Sequence, residues 1–271
     1  MNNRYMFGIG TIALFALLTA CKKDTDTGFN QNNMATLSIE FDNIVGGQNL
    51  QLNTGTYYTA SGDTFSVSLL QYFISNIKVK KTDGTEYTVP QDSSYFLIKE
   101  ADVNTRYAKV KVPEGEYASV SFVLGVDSLR STMDISKRQG VLDPSGGMED
   151  GMYWGWNSGY IYFKMEGISP QAPVDPSGQK KFRYHIGGFG GYSAPTINNI
   201  KTITIDLGAG GTAKVRSGRT SNVHLMVDIS KMFTGTTDIS IATNPTVMFS
   251  AFSVNIANNF SGMFRHDHTE N

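Results

Sequence analysis

The sequence predicts an all-β protein: a single antiparallel β-sandwich or open barrel with long loops. Three observations predict it. Short runs alternate between apolar and polar residues, the period of a half-buried strand. Tyr (13) and Phe (16) are plentiful, and charged residues make up only 17% of the 271-residue chain, below the ~25% usual for soluble domains. No segment of a dozen residues carries a convincing helical stripe.

The first twenty residues stand apart from that pattern. Arg4 is the one charge before residues 6–20, MFGIGTIALFALLTA, an uncharged run that ends at Leu18-Thr19-Ala20-Cys21. The run is too short for a membrane span of ~20 residues and has no stop-transfer pattern behind it. Small residues before a cysteine make a lipobox. Cys21 is therefore expected to be acylated after removal of residues 1–20. That implies a bacterial envelope protein held to a membrane, the outer one by expectation, facing the periplasm or the surface. Cys21 is the only cysteine, so no internal disulfide, thiolate catalyst or zinc-thiolate cluster is available. Residues 21–35 are polar and read as a tether. A net charge of -1 offers no polycationic surface to nucleic acid.

The domain is expected over residues 36–265. Residues 36–43 place Leu37, Ile39 and Phe41 on one face and Ser38, Glu40 and Asp42 on the other. A longer strand runs from Phe65 to Val79, and Asp83-Gly84 signals a hairpin turn. Residues 95–98 form a short apolar run. Residues 108–112 and 118–124 alternate on either side of Pro113-Glu114-Gly115-Glu116 and read as a hairpin. Strand-like runs follow at 160–165, 182–186, 203–207, 223–227 and 247–254, with one helical turn at 230–233. Two long insertions, 127–150 and 167–181, interrupt the rhythm. Loops of that length are often functional. Residues 266–271 are set apart as a C-terminal tail.

Enzyme motifs are absent: there is no His-Glu-x-x-His, no Gly-x-Ser-x-Gly and no P-loop. Gly187-Gly188-Phe189-Gly190-Gly191 lies among strands and does not make a dinucleotide fingerprint. The chain is not expected to be an enzyme. Its four histidines are the residues suited to metal. His224 alternates with Val223 and Leu225, which puts it on the side of Met226 and Asp228. A satisfied surface imidazole is the ordinary reading there, and metal ligation the other. His266-Asp267-His268 could hold Cu(II) or Zn(II), although chain ends usually fray. Both tryptophans, Trp154 and Trp156, lie in residues 148–160, MEDGMYWGWNSGY, two apart and so on one face of an extended chain. Core filling is the ordinary reading for them.

The order of several motifs resembles the MbnP-like family of copper-binding proteins. The matching pieces are LQYFISNI at 70–77, YFLI at 95–98, FVLGV at 122–126, MYWGWNSGY at 152–160, FKMEG at 163–167 and YHIGG at 184–188. The resemblance implies an envelope copper protein and the substrate of a dihaem cytochrome c peroxidase-type partner, which oxidises a tryptophan to kynurenine. Trp154 and Trp156 are then the candidates for modification, and His185 the candidate ligand. The family's earlier Asn-His pair is missing, for the corresponding stretch reads Asp127-Ser128-Leu129-Arg130-Ser131-Thr132-Met133. Met133 could supply a soft sulfur, and His224 a further imidazole. The alternative is a metal-free module that binds glycan or protein through its aromatic residues.

Overall fold

The computed structural model describes residues 28–144, 151–154 and 159–271. The strands in chain order begin with β1 (Met34–Val45), β2 (Gln48–Asn49), β3 (Tyr57–Tyr58), β4 (Thr64–Lys81), β5 (Glu86–Thr88) and β6 (Tyr95–Lys99). Next come β7 (Tyr107–Pro113), β8 (Gly115–Leu124), β9 (Tyr153–Trp154), β10 (Gly159–Ile168) and β11 (Lys181–Gly187). The last are β12 (Lys201–Asp206), β13 (Ala213–Val215), β14 (Thr220–Asp228), β15 (Thr246–Val247) and β16 (Phe264–Glu270).

They form two sheets. The smaller runs β16-β14-β1-β2, with β7 also paired to β1. The larger runs β12-β8-β4-β10-β11-β15, with β3, β5 and β6 on β4, β13 on β8 and β9 on β10. The all-β expectation holds. Most pairs are antiparallel, but β1 runs parallel to β14 and β11 parallel to β15.

The sheets face each other across one core. Strict alternation in β1 buries Leu37, Ile39 and Phe41 completely, since side chains two apart share a face. The Phe41 ring meets Phe122 of β8 edge-on at 5.4 Å and Tyr72 of β4 at 6.3 Å. Val223, Leu225 and Val227 of β14 and Phe182, Tyr184 and Ile186 of β11 belong to the same cluster. A second cluster covers the outer face of the larger sheet. It includes Phe73, Val126, Leu142, Met152, Trp154, Tyr160, Tyr162 and Phe189. Around this cluster the larger sheet is thus buried on both faces, the outer one by loops. The 127–150 insertion packs there over its described part: Leu142 joins the cluster and its carbonyl accepts the Tyr160 hydroxyl.

Three local expectations are corrected. Residues 108–112 and 118–124 do not pair as a hairpin; β7 joins β1 in the smaller sheet and β8 joins β4 in the larger. Alternation reports which face is buried, not which strand is the neighbour. At the crossing, the Glu114 carboxylate accepts the backbone N–H groups of Asn30 and Ser217, each at 2.9 Å. The run at 247–254 is not a strand. After β15 the chain enters α2 (Ser253–Asn259), whose Ile256 and Ala257 enter the main core, following α1 (Ser128–Thr132) earlier in the chain. Finally, residues 266–270 are not a loose tail but most of β16, paired along β14. The expected helical turn at 230–233 is present as a 3-10 turn over Ile229–Phe233.

Candidate metal centre

Three strands bring acidic and imidazole groups together on the outer face of the smaller sheet. β14 points Val223 and Leu225 into the core, so His224 points out. In β1 the same rule sends Glu40 and Asp42 outward beside it. β16 lies antiparallel on the other side of β14, with His268 opposite His224.

Regular pairing would then turn Asp267 to the opposite face. A bulge prevents that: the register passes from His224↔His268 to Leu225↔His266, leaving Asp267 without a partner residue. The extra residue locally breaks the alternation, and the carboxylate comes to lie between the two rings. Asp267 Oδ2 is 2.9 Å from Nδ1 of His268 and 3.4 Å from Nδ1 of His224. Among the described residues His224, Asp267 and His268 form a group whose donor atoms all lie within 4.8 Å of one another.

The outer nitrogens of both rings also face carboxylates. His224 Nε2 is 3.7 Å from Asp42, and His268 Nε2 is 3.7 Å from Glu270. Carboxylates behind metal-ligating imidazoles commonly fix ring orientation and raise ligand basicity. Electrostatics agree with the geometry. The hydrogen bond to His268 holds the Asp267 carboxyl below its usual range, and the same contact raises the His268 imidazole. The site is graded in exposure: 13% for the His224 side chain, 33% for Asp267 and 49% for His268. His266 turns away from this group. Its Nε2 meets Thr269 Oγ1 at 2.9 Å, and its ring packs where Gly210 lacks a side chain.

The other expected site residues lie elsewhere. His185 projects from the outer face of the larger sheet, because Tyr184 and Ile186 fill the core. Its Nε2 is 2.7 Å from Glu166, whose carboxyl it holds below the usual range; Lys164 lies 3.8 Å from the same oxygen. His185 and His224 therefore point away from each other on opposite sides of the sandwich and cannot share one ion. Met133 ends α1 and lines a cleft with Arg138, Tyr153, Phe189 and Tyr192. Trp154 is 8% exposed, stands edge-on to Phe249 at 6.0 Å and packs over Gly187. Cys21 and Trp156 lie outside the described residues. The sequence had signalled Asp267 and His268 through the His-Asp-His run; only their place in a strand was hidden. Asp42 carried no signal beyond its outward position.

A two-sheet β-sandwich thus carries loops packed over one outer face and this donor group on the other. The family model MbnP matches residues 34–249, and the chain belongs to the MbnP family. The solved structure of MbnP from Methylosinus trichosporium shares the fold, with a TM-score of 0.52 at 14% identity, over 81% of this chain and 82% of that one. No curated protein matches the chain. His224 falls inside the family match; Asp267 and His268 lie beyond it.

Proposed function

We propose that the chain is a non-catalytic envelope lipoprotein, anchored through Cys21, that binds a copper ion at His224, Asp267 and His268. The convergence of one ring nitrogen from each histidine and one carboxylate oxygen within 4.8 Å carries this reading. Imidazole and carboxylate donors suit Cu(II), which binds such sets more tightly than other divalent first-row metals. Copper at His185, Met133 and Trp154 is not supported. Among the described residues no group of three donors includes His185, while the described lining of the Met133 cleft contains one thioether and no imidazole. Envelope anchoring rests on the lipobox, and among the described residues no helix is long and apolar enough to cross a membrane.

Copper titration of the wild type, His224→Ala and His268→Ala tests the reading. One tight equivalent in the wild type, weakened at least tenfold in each variant, is expected. Equal uptake by all three would remove the ion from this cluster.

A further inference from the structure

The glycine-rich segment at 187–191 takes no part in the metal site, yet it shapes a large cleft on the molecule's described surface. Gly188, Gly190 and Gly191 have φ values of 110°, 97° and 99°, a region closed to most side chains. A Cβ at Gly191 would also strike the Ala194 carbonyl. The loop can therefore fold tightly and present Phe189 and Tyr192 as one wall. The loop after β8 is the other wall, and Ser128 Oγ ties the two by donating to the Phe189 carbonyl at 2.8 Å. Tyr153 and Arg138 also line it. The cavity measures about 700 Å³, within the ~300–1,000 Å³ of small-molecule sites.

We infer that this cleft binds a ring-bearing organic carboxylate, of which a uronic acid is the simplest example. Arg138 supplies the charge argument. Its guanidinium lies over the Tyr153 ring at 5.7 Å, and Nη1 donates to the Tyr153 hydroxyl at 3.3 Å. Among the described residues it makes no ion pair, and its Nε is buried without a partner. Arg130 of the same loop, by contrast, is paired with Asp92. Asp134, the acid on the described lining, caps the next turn by accepting the Ser136 N–H at 2.9 Å; its carboxyl is held below the usual range by Ser136 and, to a lesser degree, by the charge of Arg138, without a direct ion pair between the two. A part-buried guanidinium with no direct ion pair can take an incoming anion, and a guanidinium edge fits a carboxylate bidentately. One guanidinium balances a monoanion better than a phosphate dianion. The walls supply the ring argument. Tyr192 is 73% exposed beside the cleft. It offers an open aromatic face, and Thr132 and Ser193 bring hydroxyls to the lining for ring substituents.

Titration of the full chain with D-glucuronate, followed by tryptophan fluorescence, tests the assignment, with D-glucose and inorganic phosphate as controls. A saturable response to D-glucuronate is expected, weakened at least tenfold in Arg138→Gln and several-fold in Tyr192→Ala, with unchanged circular dichroism. Should Arg138→Gln not fold, the exposed Tyr192→Ala decides. No response in the wild type, unchanged affinity in the folded variants, or equal binding of D-glucose or phosphate would overturn the inference.

Discussion

His224 and His268 stand opposite one another across the β14–β16 ladder, with ring centroids 4.9 Å apart and Asp267 reaching both. A metal at this point would join the last strand of the chain to its neighbour. Ligands that bind only the folded state raise stability by mass action, about 2.7 kcal/mol at a hundredfold excess over Kd. Cu(II) is therefore expected to raise the unfolding midpoint of the wild type and to raise that of His224→Ala clearly less, as read by denaturant titration. Backbone amides of β16 should also exchange hydrogen more slowly with copper present.

The anchor is tested separately. Cys21→Ser is expected to release the chain from the membrane fraction, while the wild type stays there. Equal retention of both after cell fractionation would reject lipidation.

Gly187 is a packing test. A Cβ there would lie 2.9 Å from the Trp154 ring and closer still to the Tyr160 carbonyl. Gly187→Ala is expected to destabilise the fold by about 1–3 kcal/mol, the usual range for overpacking. Trp154 should move toward solvent, and its fluorescence emission should shift red.

Phe41 is the test of the main core. Its ring is fully buried and meets Tyr72, Phe122 and Phe264 edge-on. Phe41→Ala should cost about 3–5 kcal/mol, lost transfer energy plus a cavity. Chemical denaturation of the two proteins measures it.

Glu114 sets an acid limit. Its hydrogen bonds with Ser217 and with the Asn30 N–H lower its pKa to about 2, against ~4.3 for an unperturbed glutamate. A carboxyl depressed in the folded state contributes stability above its unfolded pKa and loses it as pH falls through the folded one. Wild-type stability should therefore decline between roughly pH 4.3 and 2, and Glu114→Gln should lose this part of the decline. Denaturation at a series of pH values gives the comparison.

Much of the fold is legible in the sequence because strand alternation is a local signal. Leu37, Ile39 and Phe41 declare their buried face without reference to any other strand. The partner of each strand is not local, which is why β7 and β8 read as a hairpin yet joined different sheets. α2 was hidden because Val254, Ile256 and Ala257 are as compatible with a strand as with a short buried helix. At the site, the outward direction of His224 followed from alternation, and the metal-binding chemistry of the 266–268 run was readable. The bulge at Asp267 was not readable, since it breaks the period that made the rest so. His185 matched a family motif, but its partner Glu166 sits on a neighbouring strand whose register the sequence does not reveal.

The parallel pairing of β1 with β14 sets the order in which the molecule can assemble. Glu40 of β1 and Asn222 of β14 are bonded across 182 residues, so the first strand has no neighbour on that side until most of the chain is available. Loops this long close slowly. Before that, the Leu37-Ile39-Phe41 face would be exposed, a state in which aggregation and chaperone capture compete with folding. A chain halted before β14 would lack half of the hydrogen bonding that seats its first strand, and the smaller sheet would be expected to form last.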